Sequence, residues 1–201
     1  MDEQVRKISE ELVIACKRAY TRGIQTGSGG NVSARVPEKD LMIVKASGSS
    51  FIDSTPDGFV ITDFDGNLVE GKGKPTREAL LHGLLYRICP NVNAVVHTHS
   101  PYSIAWTSTE KALPRTTWHS QLKMCADIPT LNVPAAMVGK EYFSLVEEIY
   151  SVYPELPGFL LVDHGLVAVG KDAINAEHTA ELIEETAQIA ILKATVSKLG
   201  L

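Results

Sequence analysis

"AVVHTHS", residues 94–100, ends an apolar run on two histidines one residue apart. Side chains alternate faces along a strand and step by about 100° around a helix, so His97 and His99 share a face only if the segment is extended. Ala94, Val95 and Val96 are mostly β-branched and follow "CPNVN", whose proline and asparagines close the preceding element. Read as a strand, the stretch brings two imidazoles to one point, half of a metal site.

The chain around it has 201 residues, 44% of them hydrophobic and 21% charged, enough for one sizeable core and an expected single domain over residues 1–201. A net charge of −5, with no Lys/Arg cluster interleaved with aromatics, argues against a nucleic-acid partner. Cys16, Cys89 and Cys125 are odd in number and form no C-x-x-C pattern, which suits free thiols in a reducing compartment. The start, "MDEQVRKISEEL", is charged, and no window approaches the roughly 20 apolar residues of a membrane span. A cytoplasmic protein without a secretory leader or membrane anchor is expected.

From Asp2 to Arg22, the spacing of Val5, Ile8, Leu12, Cys16 and Ala19 predicts an amphipathic helix closed by Gly23. "QTGSGGNVSARVP" (25–37) reads as a glycine-rich turn entering a short strand, and "LMIVKASGSSF" (41–51) as a strand and loop. "FVITDFDGNLVEG" (59–71) predicts a hairpin turning at Asp65-Gly66. "PTREALLHGLLYRI" (75–88) predicts a helix after Pro75. Further helices are expected over about 140–151 and 172–198, with one strand over "FLLVDHGLVAVG" (159–170) between them. No clean βαβ alternation appears, which predicts one layered domain with a largely antiparallel sheet.

His164 interrupts that last apolar strand. A histidine there is either satisfied by a backbone carbonyl in the core or is the third ligand of the site begun by His97 and His99. Three neutral imidazoles leave a tetrahedral Zn²⁺ one position for water or substrate, the pattern of a catalytic site. His178 falls in a glutamate-rich helix and is expected to be solvated, His119 stands in the loop "TTWHSQ" (116–121), and His82 is a candidate to support the site from behind. Glu78, in the first turn of its helix, is either a carboxylate favoured by the helix dipole or a catalytic base. "TGSGGN" (26–31) is neither a dinucleotide fingerprint nor a P-loop; it is either a tight turn or a phosphate cradle of backbone N–H groups, to which "ASGSS" and "KPTRE" would add hydroxyls and cations.

In this order, "GSGGNVSAR", "ASGSSF", "KPTRE", "NAVVHTHS" and "DHGLVAVG" resemble the class II aldolase/adducin family over about residues 5–195, most closely its L-fuculose-phosphate-type aldolases. The resemblance implies a three-layer α/β/α fold around a mostly antiparallel central sheet, and a homotetramer with active sites between subunits. It places the metal ligands at His97, His99 and His164, for Zn²⁺ or another divalent transition metal, and the acid/base carboxylate at Glu78. It places the phosphate-binding positions at Gly30, Asn31, Ser47, Gly48 and Thr76. Arg77 stands where the aldolases have a second serine; it either tightens the phosphate grip or binds a sugar-acid carboxylate, or is a solvated arginine of the first helical turn. A tyrosine that aldolases supply from a neighbouring subunit is replaced near Trp118 or His119, and a tyrosine-bearing C-terminal tail of some relatives has no counterpart before Leu201.

The activity implied is metal-dependent aldol cleavage of a short ketose phosphate, like L-fuculose 1-phosphate, to dihydroxyacetone phosphate and an aldehyde. Its alternative is a sugar-phosphate epimerase or dehydratase (ribulose-phosphate 4-epimerase or methylthioribulose-phosphate dehydratase type) on the same metal site. A non-catalytic adducin-like module is the third reading.

Overall fold

In the computed structural model, residues 3–200 are described. Helix α1 (Glu3–Thr21) leads into strands β1 (Asn31–Arg35), β2 (Leu41–Lys45), β3 (Phe59–Asp63) and β4 (Leu68–Glu70). Then come α2 (Ala79–Ile88), β5 (Ala94–Thr98), α3 (Pro101–Thr107), α4 (Trp118–Lys123) and β6 (Thr130–Leu131). The chain finishes with α5 (Phe143–Val152), β7 (Gly158–Leu161), β8 (Gly165–Gly170) and α6 (Ala173–Lys198). The helix expected from Asp2 is seen from Glu3; Asp2 itself lies outside the described residues.

The strands form one sheet in the order β4-β3-β2-β1-β5-β8-β7-β6. The sheet is mixed, because β6 pairs parallel with β7 while the other pairings are antiparallel. Side-chain alternation divides it into two apolar faces. Val32, Ala34, Ile43, Val96 and Ala168 face a core shared with α1 and α6, and Val44, Val60, Val95, Val167 and Val169 face one shared with α2 and α5. Each such valine or isoleucine contributes about 1.5–3 kcal/mol when fully buried, which is what holds three layers together.

Two sequence expectations change. The run "FLLVDHGLVAVG" is two strands, because Val162–His164 turn the chain between β7 and β8. Asp163 adopts φ 53° and Gly165 φ 155°, the backbone that reverses it. His164 therefore sits in a turn, not at a strand position. "TTWHSQ" is not a loop; Thr117 and Ser120 form a capping box that starts α4 at Trp118, so His119 is helical. The hairpin at Asp65-Gly66 forms as expected, with Gly66 at φ 78°.

Helix α2 sits unusually close to that hairpin. A Cβ on Gly83 would lie 1.9 Å from the Phe64 carbonyl oxygen. Gly83→Ala would gain about 1 kcal/mol in helix propensity, but overpacking against backbone costs about 1–3 kcal/mol or more. With the clash against backbone putting the cost at the upper end of that range, we expect a net loss of about 2 kcal/mol in urea unfolding. A loss below about 0.5 kcal/mol would show that α2 lifts freely off the hairpin.

Candidate active site

The site forms at one end of the sheet. The end of β5, the start of β1, the end of β2 and the β7–β8 turn meet there with the N-terminus of α2. His97 belongs to β5, opposite Asn31 of β1 and Val167 of β8. His99 follows two residues later, and its backbone N–H donates to Gln25 Oε1. The β7–β8 turn swings His164 onto both. The three ring centroids lie 4.7–5.2 Å apart, and one nitrogen from each falls within 4.8 Å of the others.

His97 Nδ1 donates to the Leu166 carbonyl oxygen at 2.8 Å, and the tautomer this bond selects offers its Nε2 lone pair to the cluster. That atom is buried, has no hydrogen-bond partner among the described residues, and lies 3.3 Å from Glu78 Oε2. Two acceptors this close need positive charge beside them, as a cation held by three imidazoles provides. His164 Nδ1 is a second buried nitrogen without a partner. The protein packed around its ring, with His97 and His164 alongside, pushes His99 down to about 4; burial and His97 likewise lower His164. Both are unprotonated at neutral pH, as ligands must be. The donor set fits a divalent metal ion.

Glu78 is the N-cap of α2 rather than a first-turn residue, and its side chain makes no capping bond. The carboxylate is instead buried in the site, where Asn31 Nδ2 donates to its Oε2 at 3.1 Å. Burial would raise its pKa, but the imidazole of His97, the Asn31 amide, His164 and His82 together hold it lowered.

Gly30, Asn31, Ser47, Gly48, Thr76 and Arg77 all line the same cleft, of about 120 Å³, as the three histidines and Glu78. Two short stretches are tied together there: Ser47 N–H donates to Lys74 O at 2.8 Å, and Thr76 N–H to Lys45 O at 3.1 Å. Gly30 is required on two counts, φ 63° and a Cβ that would meet Gln25 Oε1 at 2.4 Å. Arg77 is exposed at the cleft's mouth. Within one chain, neither Trp118 nor His119 lines the cleft; Trp118 is 87% exposed, and His119 lies on a separate groove beside the exposed His178.

Sequence reading missed Lys45. It ends β2, is buried in the cleft, and donates from Nζ to Ser49 O at 2.5 Å; burial lowers its pKa. A lysine closing "LMIVK" looks like an ordinary strand-end cation, so only its burial marks it. Gly29 was also missed; a Cβ there would meet His99 Nδ1 at 2.7 Å.

The fold and this cleft define a class, and sequence comparison agrees. Residues 10–191 match the family described as "Class II Aldolase and Adducin N-terminal domain", and the chain belongs to it. It is 34% identical over 194 residues to L-ribulose-5-phosphate 4-epimerase UlaF of Salmonella paratyphi B, covering 92% of this chain and 85% of that protein. Among solved structures it resembles an L-fuculose 1-phosphate aldolase (TM-score 0.84, 25% identity, 94% of this chain and 87% of that one). It also shares the fold of L-fuculose-1-phosphate aldolase from Thermus thermophilus (TM-score 0.82, 22% identity, 95% and 96%).

These relatives correct the activity expected from sequence. The match at 34% identity is to an epimerase, so ketose-phosphate cleavage by an aldehyde-lyase gives way to its stated alternative. An enzyme of the class II aldolase superfamily stands, as does a cluster able to hold a divalent ion. Among the described residues, no helix is long and apolar enough to cross a membrane.

Proposed function

We propose that the protein is a sugar-phosphate epimerase of the L-ribulose-5-phosphate 4-epimerase type, formed by one class II aldolase/adducin domain. The observation that carries this is its 34% identity, over 92% of the chain, to an enzyme of that name, with a buried carboxylate beside a three-histidine cluster. The chemistry suits the site. The hydroxyl-bearing carbon to be inverted is β to the ketone, so its C–H proton is not acidic and simple deprotonation cannot invert it. Breaking the adjacent carbon–carbon bond, turning the aldehyde fragment and re-forming the bond on its other face does invert it.

His97, His99 and His164 would hold the metal, with Zn²⁺ the ion that three imidazoles favour. A bound divalent ion supplies Lewis-acid polarisation of the substrate's oxygens. Glu78 holds and moves the proton that must leave and return as the bond breaks and re-forms, an effect typically worth about 10²- to 10⁴-fold. Gly30, Asn31, Ser47, Gly48 and Thr76, flanked by Lys45 and Arg77, bind the phosphate and keep the fragments oriented through the exchange. The same set of groups is not what a non-catalytic module needs.

The test is direct. Metal-loaded protein incubated with L-ribulose 5-phosphate should give its C4 epimer, followed by NMR. Release of dihydroxyacetone phosphate from a ketose 1-phosphate, faster than any epimerisation, would overturn the proposal.

Arg77 lines the cleft beside Thr76, so its guanidinium adds a bidentate cation to the phosphate site. Arg77→Ser should raise KM for the phosphorylated substrate by about 10-fold, with less change for an unphosphorylated analogue. Equal effects on the two would show that it does not touch the anion.

We also propose cytoplasmic location, consistent with free Cys16, Cys89 and Cys125, and a homotetramer, carried over from the family resemblance. Light scattering should report a mass about four times that of the chain. A monomer with full activity would refute it.

A further inference from the structure

Beneath Glu78 lies a buried polar chain that the reaction as described does not use. Glu78, His82 and Tyr86 stand one turn apart on α2, facing Asn31 and Ser33 of β1. Two rungs join them: Asn31 Nδ2 donates to Glu78 Oε2 at 3.1 Å, and Ser33 Oγ lies 2.7 Å from His82 Nδ1 and 2.6 Å from the Tyr86 hydroxyl. The spacing matches, because two residues along a strand advance about 6.8 Å and four along a helix about 6 Å. All five residues are buried.

Proton directions follow from what each end can accept. If Tyr86 donates to Ser33 and Ser33 donates to His82 Nδ1, one polar hydrogen, His82 Nε2–H, is left over. The reverse direction strands two groups, the Tyr86 hydroxyl hydrogen and the Nε2 lone pair, and turns that lone pair toward a carboxylate. The first arrangement therefore holds. Burial pushes the His82 ring down to about 3, so it is a neutral imidazole with its single proton on Nε2. That nitrogen and Glu78 Oε1 are both buried and both without a partner among the described residues, on the same face of the same helix.

We propose that His82 is the positioning residue of Glu78: its Nε2–H, given by the tautomer that Ser33 and Tyr86 impose, holds Glu78 Oε1 through one buried water. Asn31 fixes one carboxylate oxygen and His82 the other, so the carboxylate stays oriented toward the metal cluster. The inference rests on Glu78 acting as the acid/base group of the epimerase.

Two substitutions separate this role from plain packing. An asparagine amide reaches about where His Nδ1 lies, and a glutamine amide about where Nε2 lies. His82→Asn keeps the Ser33 bond and loses the donor to Glu78; His82→Gln does the opposite. We expect His82→Asn to keep its metal and KM while kcat falls about 10-fold or more, and His82→Gln to restore most of the rate. Asparagine outperforming glutamine, or no change in either, would overturn the proposal. Should these variants fail to fold, Ser33→Ala reads the same chain by releasing the tautomer; kcat should fall at constant KM, and an unchanged kcat would overturn the proposal. Combination with Glu78→Gln distinguishes the two levels. If Glu78→Gln alone keeps the rate, the acid/base reading falls and takes this one with it. If it is slow and His82→Asn adds its full loss on top, His82 acts independently of Glu78 and only this inference falls.

Discussion

His97→Asn should purify with almost no bound metal and less than about one thousandth of the wild-type rate, because Lewis-acid stabilisation is worth several kcal/mol of barrier. Asparagine is a sharper choice than alanine. His97 does two jobs, donating from Nδ1 to Leu166 O across the β5–β8 ladder and offering Nε2 to the cluster. An asparagine amide can keep the first bond and cannot supply the second. His97→Ala should lose metal and rate as well, but with an added stability cost from the unpaired Leu166 carbonyl, about 1 kcal/mol or more. His99→Ala tests the same cluster from an exposed position, since only its backbone N–H is tied to Gln25. Elemental analysis should find about one divalent ion per wild-type chain and close to none in any of the three. Full epimerase activity in a variant shown to be free of metal would end the metal reading.

How far such a site can be read in advance depends on which residues announce themselves. His97 and His99 do, because an H-x-H pair after a β-branched run has a shared face only as an extended segment; β5 carries His97, and His99 lies one residue past its end. The stripe of α1, the span of α6 and the Asp65-Gly66 turn were equally legible. The "FLLVDHGLVAVG" segment was not, because a strand buried on both faces shows a continuous apolar run that hides its own interruption. The clue was Asp163 and Gly165, residue types that tolerate left-handed backbone, on either side of His164. Helices α3 and α4 and strand β6 are too short for periodicity to register, though Ser100-Pro101 marks the start of α3.

Two acidic residues show what position along a helix leaves out. Glu184, in a glutamate-rich helix, is buried where its carboxylate accepts from Tyr102 N, Ser103 N and Ser103 Oγ, satisfying the first turn of α3. Glu78 leaves its own helix uncapped and turns into the cleft. Sequence gives a carboxylate's distance from a helix end but not the tertiary partner that claims it. The choice between cleavage and epimerisation was illegible for a related reason. Both chemistries need the same ligands and the same carboxylate, and Trp118 and His119, which stand near the place of the aldolases' tyrosine, lie outside the cleft of a single chain.

Glu78→Gln should keep the metal and lower kcat by about 10²-fold or more, with KM within a few-fold of wild type. The side chain keeps its size, and its amide oxygen can take the place of Oε2 to accept from Asn31 Nδ2. The amide nitrogen then falls where Oε1 was, with no acceptor among the described residues, so the variant also loses up to about 1–3 kcal/mol of stability, the usual cost of an unsatisfied buried donor. That loss is separable from the catalytic one, because it moves the unfolding midpoint and not the rate of the folded protein. Glu78→Asp keeps the charge but shortens the reach by one methylene, so its rate should fall between wild type and glutamine if placement of the carboxylate matters as much as its presence. Loss of metal in Glu78→Gln would mean that the carboxylate, 3.3 Å from His97 Nε2, is itself a ligand. Retention of both metal and rate would hand the proton to another group in the cleft, for which Lys45, buried and with its pKa lowered by that burial, is the nearest in chemistry.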